Sequence, residues 1–184
     1  MNEIRVKEKA VLLEAGLMDR ALTRIAHEIL EKNKGCDGLL LLGIVRRGVP
    51  LAERIAEKIK QIEGIAVPVG RADITFYRDD LSKAYDQPLC KADLGVEVTG
   101  KTVVLVDDVI YTGRTVRAAV EAVFSAGRPA AVRLAVMIDR GLRELPFHPD
   151  FVGKNVPTSH NEVVLVKVKE IDGKDEVALA DLTR

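Results

Sequence analysis

The sequence has no tryptophan, only two cysteines, and aromatic residues that amount to 4% of its 184 residues. Cys36 and Cys90 are too few for a disulfide scaffold or a four-ligand zinc site, so a reducing compartment is expected. So few aromatic side chains also argue against a platform that stacks many bases of a single strand. With no apolar run near the roughly 20 residues of a membrane span, we expect a cytoplasmic protein without a membrane partner.

Charge of one sign is also lacking, because 28 Lys and Arg residues balance 28 Asp and Glu residues. A neutral chain has no global field that attracts nucleic acid, so an RNA partner would have to bind a local patch. The hydrophobic fraction, in contrast, is 47%, which is enough for a packed core. The length is typical of one domain, and we expect residues 1–184 to form a single one.

Patterns typical of helices and of buried strands alternate along the chain. Apolar residues recur with helical spacing from Leu17 to about Gly35, and again from Leu51 through Ile62 until Gly64. Unbroken apolar runs predict strands that are buried on both faces of a parallel sheet; these runs span 39–44, 102–106 and 131–138.

The rest of the chain completes an α/β pattern. Apolar positions from Val116 to Phe124 predict a helix that Gly127 ends, and residues 163–180 predict a hairpin around Asp172 and Gly173. Residues 67–69 and 73–76 predict short extended segments, whereas 77–101 lack a sustained period and predict a long flexible loop. Strand, helix and strand in this order favour parallel pairing with right-handed crossovers.

The segment 103–115 is the most informative part of the sequence. An apolar strand leads into two carboxylates, Asp107 and Asp108, then into a turn with Thr112 and Gly113, and then into a helix. The start of a helix presents unpaired N–H groups that bind phosphate, and glycine allows close approach of the backbone. Carboxylates repel phosphate but suit ribose hydroxyls or a Mg²⁺ shell, so the pattern predicts one ligand with both a phosphate and a diol.

A plain helix cap is the alternative interpretation of the same residues. In that case Asp108 and Thr112 would only satisfy backbone amides at the start of the helix. The thirteen-residue context favours the ligand, because it resembles the phosphoribosyl-pyrophosphate signature of type I phosphoribosyltransferases: a strand, two acids and a Thr-Gly-x-Thr loop. The residues that match this signature after the acids are Val109, Ile110, Tyr111, Thr112, Gly113, Arg114 and Thr115.

Four further segments resemble the pyrimidine-operon attenuation regulators, whose members are also uracil phosphoribosyltransferases. The segments are 20–28, 73–82, 139–141 and 152–159, and the resemblance extends over roughly residues 16–182. It implies the type I phosphoribosyltransferase fold, a mainly parallel twisted sheet flanked by helices. It also implies a lid within the flexible loop 77–101 and a small base-binding hood at about 139–160.

The resemblance implies that a loop after the first buried strand binds the diphosphate. Here that loop contains Arg46, Arg47 and Gly48, with a non-proline cis peptide bond expected within it, and Arg46 replaces the usual small hydroxyl residue. An arginine at the start of a helix suits a diphosphate, because the guanidinium and the positive end of the helix dipole both attract its negative charge. Two solvated arginines on a turn are the alternative, which would leave Gly48 without a role.

The lid and the hood are implied in the same way. The lid around residues 77–86 would close over the reacting centre and bring Arg78 toward the leaving diphosphate. In the hood, Arg140, Phe151 and Val152 would surround the base. An ordinary surface hairpin is the alternative for the lid, and core packing is the alternative for Phe151.

The implied reaction is attack of uracil N1 on the ribose anomeric carbon of phosphoribosyl pyrophosphate, giving UMP and diphosphate. Mg²⁺ would act as cofactor, bound through the substrate diphosphate and with Asp107 and Asp108 as further ligand candidates. Asp107, Asp108 and Arg78 are the implied catalytic residues. The two carboxylates would hold the ribose and offset the positive charge of an oxocarbenium-like state.

The resemblance also implies regulation through a messenger-leader RNA, with UMP or UTP as effector and a homo-oligomer, a dimer or larger, that joins several basic faces. The implied RNA-binding residues are Thr23, Arg24, His27, Arg143 and Lys154. A solvated charged face is the alternative. Leu142 and His148 depart from the family pattern at positions that bear on RNA binding.

Two other functions remain open from the sequence. A hypoxanthine-guanine phosphoribosyltransferase without an RNA role has a Pro-Asp-Phe-Val-Gly stretch like that at 149–153. A regulator with vestigial catalysis is the second alternative, and the intact pair Asp107 and Asp108 argues against it.

Overall fold

The computed structural model of the protein describes residues 5–74 and 93–183. Eight strands and four helices are present in this part of the chain. In chain order they are β1 (Arg5–Glu14), α1 (Ala15–Asn33), β2 (Leu39–Ile44), α2 (Gly48–Glu63), β3 (Val69–Ala72), β4 (Thr102–Ile110), α3 (Arg114–Ala126), β5 (Ala131–Asp139), β6 (Phe151–Asn155), β7 (Glu162–Lys167), α4 (Lys169–Asp172) and β8 (Glu176–Thr183).

The main sheet has five strands in the order β3-β2-β4-β5-β6, and every neighbouring pair is parallel. The predicted parallel arrangement is therefore confirmed. Leu41 of β2 pairs with Val104 of β4, and Asp107 of β4 pairs with Val136 of β5. Because all five strands run in one direction, their carboxyl ends meet at one edge of the sheet, where ligands of open α/β sheets bind.

Two apolar clusters cover the two faces of the main sheet. Successive side chains of a strand point to opposite faces, so Leu39 and Leu41 of β2 pack with α1 and α2, whereas Leu40 and Leu42 pack with α3. All six residues of β2 are buried, as the unbroken apolar run predicts. The sheet is thus held between two helical layers.

A second sheet of three antiparallel strands has the order β1-β8-β7. Its β7 and β8 form the predicted hairpin, with the short α4 in the connection. The sequence interpretation missed β1, which pairs with β8. Irregularities between Glu8 and Ala10 and between Val11 and Leu13 interrupt its register, so the period-two pattern that would have identified a strand is broken.

The structure corrects several boundaries and core assignments. β4 continues to Ile110, so Asp107 and Asp108 lie within the strand and not after it. Ile62 and Phe124, which were expected on apolar helix faces, are 38% and 57% exposed. At the end of the predicted loop, Leu94 is buried in the cluster beside α3, and so is Val98.

Residues 77–92 of the predicted loop, including the lid at residues 77–86, lie outside the described residues. Residues 75 and 76 of the second short extended segment lie outside them as well, whereas β3 covers most of the region between the two segments. No helix in the described ranges is both long and apolar enough to cross a membrane.

Candidate active site at the carboxyl edge of the main sheet

Two adjacent carboxylates lie near the end of β4. Asp107 is 7% exposed and Asp108 is half-buried. The Asp108 N–H donates to Asp107 Oδ1 at 2.9 Å, and the Val109 N–H donates to Asp108 Oδ1 at 2.8 Å. Asp108 therefore accepts a hydrogen bond within the strand and does not cap the following helix. The helix-cap interpretation is wrong for Asp108.

Burial controls the electrostatics of this pair. It raises the pKa of Asp107 well above its usual value, and the nearby charge of Asp108 raises it further. Burial also raises the pKa of Asp108, against the opposing effects of its hydrogen bonds and of the Arg47 guanidinium. A carboxyl group with a raised pKa holds a proton more readily at neutral pH, as an acid or base in proton transfer requires.

The turn after β4 leads directly into α3. Gly113 has φ of 93° and precedes the first helical residue, Arg114, so the left-handed conformation of glycine sets the direction of the helix. The hydroxyl oxygen of Thr112 accepts a bond from the Arg114 N–H at 3.4 Å. A segment close to Leu145 and Phe147 covers Gly113, because a Cβ there would lie 3.3 to 3.4 Å from their side chains.

The other residues of the predicted phosphate motif differ in accessibility. Tyr111 and Thr115 are half-buried, as is Val109, whereas Arg114 is exposed and donates to Glu144 at 2.9 Å. Ile110 is a correction, because its side chain is 2% exposed and belongs to the apolar cluster beside α3. A core side chain at this position supports the strand.

The predicted diphosphate loop lies beside the carboxylates. It follows β2, and the predicted cis peptide bond is present between Val45 and Arg46. Gly48 begins α2, and a Cβ there would overlap the carbonyl oxygen of Val106 and lie 3.4 Å from the Cα of Asp107. The first turn of α2 therefore rests on β4 only because residue 48 is glycine.

The two arginines of this loop differ in their surroundings. Arg46 is exposed. Arg47 is half-buried and donates from Nε and a terminal nitrogen to the two carboxylate oxygens of Asp172, at 3.0 and 2.7 Å. These bonds raise the pKa of Arg47, which also interacts electrostatically with Asp108. Sequence reasoning did not find Asp172, because the hairpin that carries it is remote in the chain and has no recognisable motif.

Arg140 is buried at the carboxyl end of β5. Its guanidinium carbon lies 4.1 Å from the ring centroid of Tyr111. Its Nε donates to the Thr158 hydroxyl at 3.0 Å, and a terminal nitrogen donates to the carbonyls of Ser159 and Glu162 at 3.1 and 2.7 Å. Arg140 thus connects the turn at residues 111–113, called the phosphate turn below, to the segment that follows β6.

Phe151 and Val152 were predicted to surround the base. They begin β6 and pair with Ala135 and Val136, three or more residues before the end of β5 at Asp139. Asp107 of β4 also pairs with Val136, so Val152 lies level with Asp107 across the sheet. Phe151 is 2% exposed within the core cluster beside α1, whereas Val152 is half-buried, and their contact with the base stays a prediction.

The predicted RNA-binding residues do not all share one surface. Thr23, Arg24 and His27 lie on α1, and Arg24 donates to the carbonyls of Val152 and Gly153 at 3.0 and 2.7 Å, next to the exposed Lys154. These four residues are neighbours. Thr23 also donates from its hydroxyl to a carbonyl of its own helix, at 2.9 Å.

Arg143 does not belong to that surface. Its guanidinium donates to the Asp139 carboxylate at 2.6 Å and to the carbonyls of Tyr111 and Phe147, both at 2.9 Å. Through these bonds Arg143 holds the loop after β5 against the turn after β4, whereas its predicted contact with RNA stays a prediction. Arg78, the remaining predicted catalytic residue, lies outside the described residues.

Comparison with known proteins identifies the class of this site. A family model described as a phosphoribosyl transferase domain matches residues 11–171. Among solved structures, a hypoxanthine phosphoribosyltransferase from Staphylococcus aureus superposes with a TM-score of 0.70 at 18% identity, covering 96% of this chain and 94% of that one. The corresponding enzyme from Trypanosoma cruzi gives 0.69 at 17% identity, covering 96% and 98%. The fold is that of a type I phosphoribosyltransferase.

Curated relatives identify the family more closely. The bifunctional protein PyrR of Acetivibrio thermocellus is 59% identical over 178 residues, which cover 96% of this chain and 97% of that protein. The PyrR protein of Clostridium beijerinckii is 55% identical over 177 residues, which cover 96% and 99%. The chain belongs to the PyrR family.

Proposed function

We propose that the chain is a uracil phosphoribosyltransferase that also binds the leader of pyrimidine-operon messenger RNA and causes transcription attenuation in response to uridine nucleotides. Its membership of a family of bifunctional proteins supports both activities. The observation that carries the catalytic part is the buried pair Asp107 and Asp108, which lies between the Arg47 loop and the start of α3.

In the proposed reaction, N1 of uracil forms a bond to the anomeric carbon of phosphoribosyl pyrophosphate as the bond to diphosphate breaks. The amides and hydroxyls at Thr112 to Thr115 bind the 5-phosphate, because the first N–H groups of a helix have no carbonyl partner within the helix. Arg47 binds the diphosphate through a guanidinium that matches two phosphate oxygens. The products are UMP and diphosphate.

The carboxylates act on the sugar. Positive charge develops at the anomeric carbon before the new bond is complete, and a buried negative charge stabilises it more strongly than the same charge in water. Asp107 and Asp108 bind the ribose hydroxyls and supply that charge. Because burial raises the pKa of each, either can also accept the proton that uracil N1 releases.

Mg²⁺ fits this site together with the substrate. Carboxylate oxygens suit the ion, but no group of three or more His, Cys, Asp or Glu side chains within residues 5–74 and 93–183 converges on one point. The ion would therefore be held by the diphosphate, with Asp107 and Asp108 as protein ligands. When bound, it neutralises charge on the leaving diphosphate.

RNA binds, in this proposal, to the surface formed by Thr23, Arg24, His27 and Lys154. The exposed cations of α1 and β6 supply phosphate contacts, and His27 offers a ring for stacking. One subunit has a formal net charge of zero, so a homo-oligomer that joins several such surfaces strengthens the interaction.

The test uses one preparation for both activities. UMP formation is measured with uracil, phosphoribosyl pyrophosphate and Mg²⁺, with hypoxanthine and guanine as competing bases. Binding of a pyrimidine-operon leader transcript is then measured with and without UMP. Turnover of uracil and UMP-strengthened RNA binding are expected. Preference for a purine would favour the hypoxanthine-guanine alternative, and RNA binding without any turnover would favour a purely regulatory protein.

A further inference from the structure

The bond between Arg47 and Asp172 joins two parts of the chain that sequence gives no reason to connect. Arg47 precedes α2 in the diphosphate loop, and Asp172 ends α4 in the hairpin connection between β7 and β8. Both oxygens of the carboxylate accept from the guanidinium, at 3.0 and 2.7 Å. Planar two-bond pairs of this type fix the orientation of an arginine as well as its position.

Asp172 is itself held firmly in place. The Val168 N–H donates to its Oδ2 at 2.9 Å. The same connection is attached to α2 a second time, because Arg54 donates to Glu170 at 2.8 and 2.6 Å and to Asp175 at 2.8 Å. The hairpin connection is therefore a fixed support against which the side chain of Arg47 is aligned.

The bidentate bond leaves part of the guanidinium available. Arginine has five N–H donors, and Asp172 accepts from the Nε donor and one terminal nitrogen, so the other terminal nitrogen keeps both of its donors. The Arg47 side chain is 36% exposed, whereas that of Asp172 is 19% exposed. Arg47 also interacts electrostatically with Asp108, on the other side of the diphosphate loop.

We propose that Asp172 is a positioning residue that orients Arg47 for the substrate diphosphate before the substrate binds. This inference rests on the proposed function of the Arg47 loop. A free arginine loses considerable rotamer freedom when it is ordered by a ligand, and Asp172 removes that cost in advance. Because Arg47 binds the diphosphate in the ground state and in the transition state alike, the benefit belongs to substrate binding and not to the chemical step.

The test compares Asp172→Asn with Glu170→Gln. Asparagine keeps the size of the side chain, but its NH₂ group cannot accept a hydrogen bond. Its single oxygen can replace Oδ2, which accepts from Arg47 Nε and the Val168 N–H, so the bond from the terminal nitrogen of Arg47 to Oδ1 is lost and the two-bond pair is broken. Glu170→Gln weakens a similar two-bond pair on the same connection, but its partner Arg54 is remote from the diphosphate loop. In steady-state kinetics we expect the KM for phosphoribosyl pyrophosphate to rise about tenfold in Asp172→Asn, with kcat and the KM for uracil within about twofold of the wild type. Glu170→Gln should leave all three constants unchanged.

A binding measurement separates this inference from the proposed function. Inorganic diphosphate is titrated calorimetrically, with Mg²⁺, into the wild type, both variants, Arg47→Ala and the double variant Arg47→Ala/Asp172→Asn. The inference is supported if Asp172→Asn binds diphosphate more weakly than the wild type and the double variant binds it no more weakly than Arg47→Ala. This holds even if the wild type makes no UMP. Equal effects of Asp172→Asn and Glu170→Gln, no effect of Asp172→Asn, or an effect that persists without Arg47 would each overturn it.

Discussion

The guanidinium carbon of Arg140 lies over the ring of Tyr111, in the turn after β4, at 4.1 Å from the ring centroid. The same guanidinium binds the Thr158 hydroxyl and two carbonyls of the segment after β6. One buried cation therefore fixes the spacing between the turn proposed for the ribose phosphate and the segment beside it. Thr158 and Ser159 of this segment belong to the predicted hood, so Arg140 joins the hood to that turn.

Replacing Arg140 with methionine should loosen that segment. The change removes three hydrogen bonds that the charged guanidinium donates. We therefore expect the free energy of unfolding to fall by about 3 kcal/mol. The KM for uracil should rise more than the KM for phosphoribosyl pyrophosphate, because the base side loses its anchor. Urea denaturation and steady-state kinetics measure the two effects. Arg128→Met, at an exposed site after α3, is the matched control, and equal loss of affinity for both substrates would contradict this role.

Gly48 should be intolerant of any side chain. A Cβ at this position would overlap the Val106 carbonyl oxygen, which is backbone and does not move aside. We expect Gly48→Ala to lower the free energy of unfolding by about 2 kcal/mol through strain between α2 and β4 and to abolish turnover by displacing Arg47.

Gly16 provides the control for that substitution. It lies in the first turn of α1, and nothing is within 4 Å of a Cβ placed there. Gly16→Ala should stabilise the protein by about 0.5 kcal/mol and leave turnover unchanged. If thermal unfolding and UMP formation respond equally to the two substitutions, the close approach of α2 to β4 is not what requires glycine at position 48.

Much of the fold was predictable because burial leaves a direct pattern in sequence. β2 lies between two helical layers, so every residue from Leu39 to Ile44 is apolar and its type is evident. β1 was missed because two register irregularities remove its alternation. The core role of Leu94 and Val98 was missed because two isolated apolar residues in a turn have no period to detect.

The site was predictable where neighbours in sequence are also neighbours in space. The carboxylates and the phosphate turn belong to one strand-turn-helix unit, and their order is visible in 107–115. Roles that depend on how side chains pair in the folded chain were not predictable. Arg143 was predicted at an RNA surface, but it donates to the Asp139 carboxylate and to three carbonyls. The role of Asp172 was not identified because its partner Arg47 is 125 positions away.

Arg143 should therefore matter for stability and Lys154 for RNA. Arg143→Ala leaves the Asp139 carboxylate and three carbonyls without this donor, and we expect a loss of about 3 kcal/mol in the free energy of unfolding. Lys154 is exposed, and Lys154→Ala should weaken binding of the leader transcript without changing the Tm. Filter binding at several salt concentrations and thermal unfolding would distinguish them. A fully stable Arg143→Ala variant would contradict the assignment of its bonds.

The stability of the protein should reflect the raised pKa of Asp107. Because the folded state binds this proton more tightly than the unfolded chain, the contribution of Asp107 to the free energy of unfolding is complete below the unfolded carboxyl pKa. It is lost as the pH rises through the folded pKa. Asp107→Asn has no such loss, so the variant should be more stable than the wild type at neutral pH, with the difference shrinking toward acidic pH. The measurement is urea denaturation of both proteins from acidic to neutral pH, without substrates. If burial did not raise the pKa of Asp107, the two free energies of unfolding would differ by the same amount at every pH.

Asp107→Asn should also separate the two proposed activities. Asparagine keeps the shape of the buried side chain but supplies neither the negative charge nor the proton acceptor, so UMP formation should fall by a factor of roughly 100 or more. Asp107 lies at the carboxyl edge of β4, whereas the proposed RNA surface lies on α1 and β6, so binding of the leader transcript without UMP should stay within about twofold of the wild type. Lys154→Ala is the reciprocal variant, with weakened RNA binding and normal turnover. Loss of both activities in either variant, in protein that unfolds as cooperatively as the wild type, would mean that catalysis and RNA binding share one site.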